Sequence, residues 1–438
     1  MLLKESSQLK SKHEHHLEII DQVVQTLKKQ GIVHLYTDDS SYDGRNISIK
    51  GKKIINFGSC SYMGMEIDSR LKMGAIEAVL KYGSQFASSR AYISTGLYQE
   101  LEDLLEKIFQ APINLGSTVT LCHQSNIPVL VGDNDVVILD NQVHESIQTC
   151  VSLLKLRNIP IEIIRHNSIN ALEERIKVLK NKHDKIWYMA DGVYSMLGDF
   201  APMQELKQLM DLYPQFQLYI DDAHGMGWAG LDGAGYVKRE LNYHPQMYLV
   251  TSLAKSFGAC GGVMVFPDNR SRDKVRNCGN TMIFSGPLQP PVLGSAIASA
   301  KIHLSNEIYL RQQELQKRIS FFKEKVLELN LPLIGESDSP IFFIGVGKPE
   351  IGYKIVKSLM NHGYYINLSV FPSVSYNQTG LRIPITLHHT LDDIESLLLI
   401  IAKELNQIMI DSQLDLNIIY KAFKILHHKA PEMIKINV

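Results

Sequence analysis

Cysteine is scarce in this chain: Cys60, Cys122, Cys150, Cys260 and Cys278 are the five in 438 residues, and no two form a CxxC pair. That excludes a disulfide framework and a zinc ribbon and points to a reducing compartment. Neither sign of charge is in excess, with 45 Lys and Arg against 46 Asp and Glu, so no broad basic field is available for nucleic acid. No apolar run approaches the roughly 18–20 residues that a transmembrane helix needs. The opening Met-Leu-Leu-Lys-Glu-Ser-Ser turns polar at once, unlike a secretory signal. A GxxxxGK[ST] loop, a GxGxxG opening a helix and a GxSxG elbow are also missing. His13-Glu14-His15-His16 is not HExxH, and no metal site is expected. With 45% hydrophobic and 21% charged residues, the remaining expectation is a globular cytoplasmic enzyme.

Residues 1–45 form an N-terminal segment with a helical pattern, in which Ile19, Val23 and Leu27 share one face. From residue 46 the texture changes to short apolar runs separated by helix-length polar segments. The runs are Val136–Leu139, Ile161–Ile164, Ile186–Met189, Leu218–Ile220, Tyr248–Val250 and Val263–Phe266. This alternation predicts an α/β fold with a mostly parallel, doubly wound sheet over residues 46–300. Pro287, Pro290 and Pro291 interrupt it, and one long helical stretch is expected from Leu293 to Leu329. Residues 301–438 read as a smaller C-terminal α/β domain, with runs at Ile341–Ile344 and Tyr364–Ile366, a closing helix from Leu391 to Leu405, and a tail from 411.

Several runs end in a polar residue, and strand carboxyl ends form the ligand crevice of such sheets. Lys255, in Thr251-Ser252-Leu253-Ala254-Lys255-Ser256-Phe257-Gly258, follows one run. Its amine suits Schiff-base chemistry with a carbonyl compound, and the hydroxyls beside it suit a phosphate. Asp221-Asp222-Ala223-His224-Gly225 follows the preceding run. The carboxylate of Asp221 would favour a protonated ring nitrogen, and His224 would meet a ring hydroxyl. His144, after a third run, could stack on a planar cofactor. Asp191, closing a fourth, faces the same crevice. Thr120 to Asn126 is a candidate phosphate cradle at a helix start. Arg382 and Arg90 are candidate forks for a substrate carboxylate.

Taken together, these motifs resemble the α-oxoamine synthases, fold-type-I pyridoxal phosphate enzymes, from about Asn56 to Leu405. Gly192-Val193-Tyr194-Ser195-Met196-Leu197-Gly198-Asp199 and Arg165-His166-Asn167-Ser168 are similar to the branch that contains bacterial serine palmitoyltransferase. The resemblance implies a large domain with a mostly parallel seven-stranded sheet flanked by helices. It makes Lys255 the lysine that bonds pyridoxal 5'-phosphate, His144 the ring-stacking residue, Asp221 the ring-nitrogen partner and His224 the partner of the ring hydroxyl. It gives Ser252 to the phosphate, and Ser285 to the phosphate of a second subunit in a homodimer. Ser195 and Asp191 line the cleft, and Arg382 takes the substrate carboxylate.

Three departures from the family pattern stand out. Cys60-Ser61-Tyr62-Met63-Gly64 replaces Asn-Asp-Tyr-Leu-Gly, keeping Tyr62 as a substrate contact. Leu121-Cys122-His123-Gln124-Ser125-Asn126 is read against the phosphate loop Ser-Gly-Tyr/Phe-x-Ala-Asn, which puts Cys122 and His123 at the cofactor. Val370-Phe371-Pro372 replaces Arg-Pro-Pro. The implied reaction is a decarboxylating condensation of a small amino acid, serine first and then glycine or alanine, with an acyl thioester. Coenzyme A or an acyl carrier protein carries the acyl group. Alternatives are a signalling amino-ketone synthase, an aminotransferase or lyase, and a non-catalytic partner subunit. Retention of Lys255, Asp221, His224 and His144 argues against the last. Peripheral attachment to the inner membrane face is the alternative to a free cytoplasmic location.

Overall fold

The computed structural model describes residues 11–38, 41–335, 337–411 and 416–424. The start of the N-terminal segment and most of the C-terminal tail from 411 lie outside these residues. Strands β1 (Asn46–Ile49) and β2 (Lys52–Phe57) form a hairpin. Its two-residue turn, Lys50-Gly51, has φ of 52° and 72°, the left-handed pair that matches strand twist in a tight hairpin. Seven strands then build the large sheet: β3 (Ile113–Gly116), β4 (Val136–Asp140), β5 (Ile161–Ile164), β6 (Ile186–Asp191), β7 (Phe216–Asp221), β8 (Met247–Ser252) and β9 (Gly262–Val265). Their order is β3-β9-β8-β7-β6-β4-β5. Strands β4 to β8 run parallel, and β9 is antiparallel to both β8 and β3.

Every residue of β4, β6, β7 and β8 is buried, because helices cover both faces. The two-residue period splits their side chains between two cores. Val136, Ile138, Tyr188, Leu218 and Ile220 enter the larger one. Val137, Leu139, Trp187, Met189 and Tyr219 enter the other.

A second sheet combines β1 and β2 with β10 (Ile341–Gly347), β11 (Tyr364–Ser369) and β12 (Thr379–Pro384), in the order β1-β2-β11-β12-β10. Residues 46–57 therefore hydrogen-bond into the sheet of the C-terminal region, whereas the sequence reading opens the large domain at 46. The reason is the parallel pairing of Ile55, Asn56 and Phe57 with Tyr364, Tyr365 and Ile366, a long-range contact that no local pattern encodes. Arg45 fixes the same junction by gripping Asp393 of the closing helix Leu391–Asp411 with Nε (2.8 Å) and Nη2. The expected long helix after Leu293 is two helices, Pro290–His303 and Glu307–Glu328. Ser305 ends the first by donating to Ile302 O (2.7 Å) and opens the second by accepting from Glu307 N (3.3 Å).

The helices Ser69–Tyr82 and Pro290–His303 touch backbone to backbone at Gly74 and Gly294. A Cβ on Gly294 would sit 2.0 Å from the Gly74 carbonyl oxygen, and neither backbone can yield as a flexible side chain would. Gly294→Val should therefore lower stability by about 1–3 kcal/mol or more through overpacking. Thermal unfolding followed by circular dichroism checks this, and an unchanged midpoint would show that the helices part without cost.

Candidate active site

Parallel strands align their carboxyl ends, so Asp191 of β6 and Asp221 of β7 are direct cross-strand neighbours. Beyond those ends lies a cavity of ≈ 190 Å³. Its wall includes Lys255, Asp221, His224, His144, Asp191 and Ser252. Six residues spread over 112 positions of sequence thus converge on one space.

The charges there are ordered by their surroundings. Burial pushes the Asp221 carboxyl up, but a hydrogen bond from His123 Nε2 (2.9 Å), the nearby Lys255 amine and the Ala223 amide (2.9 Å) outweigh it and leave it below the ordinary carboxylate value. Asp191 moves the other way: burial and the Asp221 charge raise it well above that value, although it accepts the His144 amide at 3.1 Å. The two neighbouring carboxyls are thus pushed apart, Asp221 toward the ionised form and Asp191 toward the protonated one. Burial and the Arg382 charge lower the Lys255 amine, against the pull of Asp221. A lysine amine lowered in this way is a better nucleophile. His224 is driven well down by burial and by Lys255, Arg382 and His144, so its ring is neutral. Its Nδ1 meets the Tyr62 hydroxyl at 2.8 Å. Burial lowers His144 as well, and its Nδ1 sits 2.7 Å from Ser146 Oγ.

At one end of the cavity the helix Val119–Leu130 begins, with Thr118 as its N-cap accepting from Leu121 N at 3.2 Å. Ser117, Thr118, Val119 and Thr120 line the cavity, and first-turn amides have no carbonyl partner in their own helix. An anion fits such a terminus. The residues at the cavity are Ser117–Thr120, ahead of the Leu121–Asn126 segment read against the phosphate loop. Cys122 accordingly lies inside the helix, fully buried, with its Sγ filling the space that a Cβ on Gly116 or Gly262 would take. It does not line the cavity. His123 reaches the site only through Asp221. The useful signal was Gly116-Ser117-Thr118, a strand end followed by hydroxyl caps, and it was obscured because no glycine marks the loop. Ser146, two residues after His144, and Cys260 also line the cavity and were not singled out.

Arg382 is buried on β12, with Nε donating to Ser195 O at 2.6 Å and both Nη atoms 3.7 Å from Cys60 Sγ. No carboxylate partners it among the described residues. Ser195 thus offers its backbone oxygen to Arg382, and neither residue is among those that line the cavity. Arg90 is engaged elsewhere, which corrects its assignment as a substrate fork: it pairs with Glu102 (2.8 Å), donates to Leu115 O (3.2 Å) and lies 3.8 Å over the Tyr98 ring. Ser285 does not line the cavity of its own chain. Its neighbour Gly286 accepts from the Ser117 hydroxyl, which ties that segment to the mouth.

The two motif segments, residues 165–168 and 192–199, meet in the structure. His166 bridges Asp140 (Nδ1, 3.0 Å) and Asp199 (Nε2, 2.6 Å), and Asn167 donates to Phe200 O (2.9 Å). Burial opposes charge on His166, but the two carboxylates push it up to about 9. Its contribution to stability is thus fully present below the unfolded value near 6.5 and is lost as pH rises through 9. His166→Gln should cost about 2 kcal/mol at pH 6 and much less at pH 10. Urea melts of both proteins at the two pH values test this, and a difference independent of pH would contradict a charged His166.

The residues fit pyridoxal phosphate: a lysine, two histidines, a carboxyl held below its ordinary value and a helix N-terminus surround one cavity. The chain matches the aminotransferase class I and II family over residues 52–401. It is 30% identical over 376 residues to 8-amino-7-oxononanoate synthase of Thermosipho melanesiensis, covering 85% of this chain and 93% of that protein. It is 28% identical over 376 residues to serine palmitoyltransferase of Sphingobacterium spiritivorum, covering 85% and 92%. In fold it superposes on Sphingomonas wittichii serine palmitoyltransferase with a TM-score of 0.82 at 23% identity, covering 92% of this chain and 100% of that one. With its cavity, its lysine and these relatives, the chain belongs to the class I and II aminotransferase family and, within it, to the α-oxoamine synthases, pyridoxal phosphate-dependent acyltransferases of fold type I.

Proposed function

We propose that this chain condenses a small amino acid with an acyl thioester, releasing a thiol and carbon dioxide and giving an α-amino ketone. The observation that carries the reading is the convergence of Lys255, Asp221 and a helix N-terminus on one cavity, with the buried guanidinium of Arg382 close enough to influence Lys255. Pyridoxal phosphate, when bound, supplies the electron sink that lets the amino acid lose its Cα proton. The amides at Thr118–Thr120 and the Ser252 hydroxyl would hold its phosphate, and Asp221 would favour a proton on its ring nitrogen. His144 would contact the ring, and His224, whose Nδ1 meets Tyr62, would contact the ring hydroxyl. Lys255 would bond the cofactor at rest, and its amine, when free, would take the Cα proton of the amino acid. Arg382 takes the amino acid's carboxylate, the anion that its buried charge lacks.

L-serine is the first expected substrate, then glycine or alanine, with coenzyme A or an acyl carrier protein as acyl carrier. Relatives named for two different α-oxoamine products are consistent with the shared chemistry and with neither substrate alone. A homodimer with C2 symmetry accounts for Ser285. Phe284, next to Ser285 and 84% exposed, would be covered in such a dimer. Among the described residues no helix is long and apolar enough to cross a membrane.

The purified protein should be yellow, and Lys255→Ala should abolish the visible band of the lysine-bound cofactor. Titration with L-serine, glycine and alanine should shift that band. Arg382→Ala should weaken the preferred amino acid about 10- to 100-fold, the value of hydrogen bonds to a charged group. A colourless protein that cannot be reconstituted would sink the catalytic reading in favour of a partner subunit. Loss of the band on adding amino acid alone, with no thioester, would favour an aminotransferase.

A further inference from the structure

Arg382 is 8% exposed, and its guanidinium is not part of the cavity wall. The side chain that its fork faces is Cys60. Strands β2 and β12 flank β11, where Ile366 pairs with Phe57 and Asn367 with Arg382, so the chain leaving β2 passes close to Arg382. Arg382 Nε is committed to Ser195 O at 2.6 Å. Both Nη atoms point at Cys60 Sγ, each from 3.7 Å. Tyr62 also stands beside the guanidinium, but its hydroxyl is engaged with His224 Nδ1 at 2.8 Å. Cys60 is partly buried and its thiol is free. It is also a position at which this chain leaves the family pattern, with a thiol in place of an asparagine.

A sulfur is a weak acceptor, so it returns little to the N–H bonds that the two Nη atoms carry. A carboxylate in the same seat would satisfy them as a bidentate pair. Nε is already taken, which leaves a ligand the end-on mode across the two Nη atoms. With N–H···O bonds of about 2.8 Å, the carbon of a carboxylate bound in that mode lies about 3.7 Å from each nitrogen. Cys60 Sγ lies at that distance from both.

We propose that the Cys60 thiol occupies the seat of the substrate carboxylate and yields it on binding, which makes Cys60 a residue that sets affinity for the amino acid. This deepens the proposed reaction and rests on Arg382 as its carboxylate site. An aspartate at position 60 would form a buried ion pair, and a substrate could break it only by leaving that aspartate's charge uncompensated. A thiol covers the guanidinium, packs against the core and loses little when a carboxylate takes its place. Its departure would open the fork toward Lys255, whose amine already feels the Arg382 charge.

The S–H stretching band reports the thiol itself. In the holoenzyme, saturating L-serine, glycine or alanine should shift one component of that band, and Cys60→Ala identifies the component by its loss. Acetate, which has the carboxylate and no amine, should shift the same component. Amino-acid affinity is read from the visible band of the bound cofactor. Cys60→Asp should weaken it about 100-fold or more, as hydrogen bonds from both Nη atoms to the substrate are lost. Cys60→Ala should hold or tighten it. A thiol component that stays fixed under saturating amino acid and acetate would overturn the proposal, and a visible band that shifts at the same time would leave the proposed reaction standing. A Cys60→Ala protein of weaker affinity would overturn it as well. If acetate moves the thiol component but no amino acid moves the visible band, the seat stands and the proposed reaction fails. If Cys60→Asp does not fold, the thiol band of the unaltered protein decides.

Discussion

Asp221 is an anion in a place where burial alone would neutralise it. It stands at the carboxyl end of a strand whose every residue is buried, with a second carboxyl, Asp191, directly across the strand pair. Two such groups cannot both ionise cheaply, and the surroundings decide which one does. The amide of Ala223, the imidazole of His123 and the amine of Lys255 all favour Asp221. Asp191 yields, keeps its proton and accepts the His144 backbone amide. The His144 backbone is thereby held at the cavity wall by Asp191, and Asp221 lines the same cavity beside it.

The scaffold explains why this balance holds. Parallel strands bring Asp140, Asp191, Asp221 and Ser252 to one edge of the sheet, and the helices on both faces keep that edge dry. Asp140 has its own partner in His166, which also ties Asp199 and so braces the segment that carries Ser195. Ser195 in turn offers its carbonyl oxygen to Arg382 from the second sheet. The two sheets are therefore linked through hydrogen bonds, Asp140–His166–Asp199 at the large one and then Ser195–Arg382 across to the second.

The sequence is most legible where the physics is local. Strands buried on both faces appear as unbroken apolar runs, and the polar residue closing each run is the one that reaches the cavity. Short edge elements are less so. In β3, Asn114 breaks the apolar run, and in β12 a glycine and Arg382 do the same. The hairpin β1–β2 carries lysines at its turn, and only pairing with β11 reveals which sheet it joins. The helix start at the cavity is hard to see in sequence because Thr118 and Val119 precede the segment that resembles the family loop, and a helix cap rather than a glycine marks it. Arg90 could not be separated from Arg382 by sequence, since the difference lies in Glu102 and Tyr98, which meet Arg90 only in the folded chain.

The claim at the centre of this account is that the cleft serves a decarboxylating condensation. The most direct test supplies purified protein with carboxyl-¹³C-labelled L-serine, glycine or alanine and a panel of acyl thioesters, and follows labelled carbon dioxide together with the free thiol. The account predicts that both appear in equal amounts, only when amino acid and thioester are present together, with an α-amino ketone as the third product. Labelled carbon dioxide without thioester, or thiol release with the labelled carboxyl retained, would contradict it.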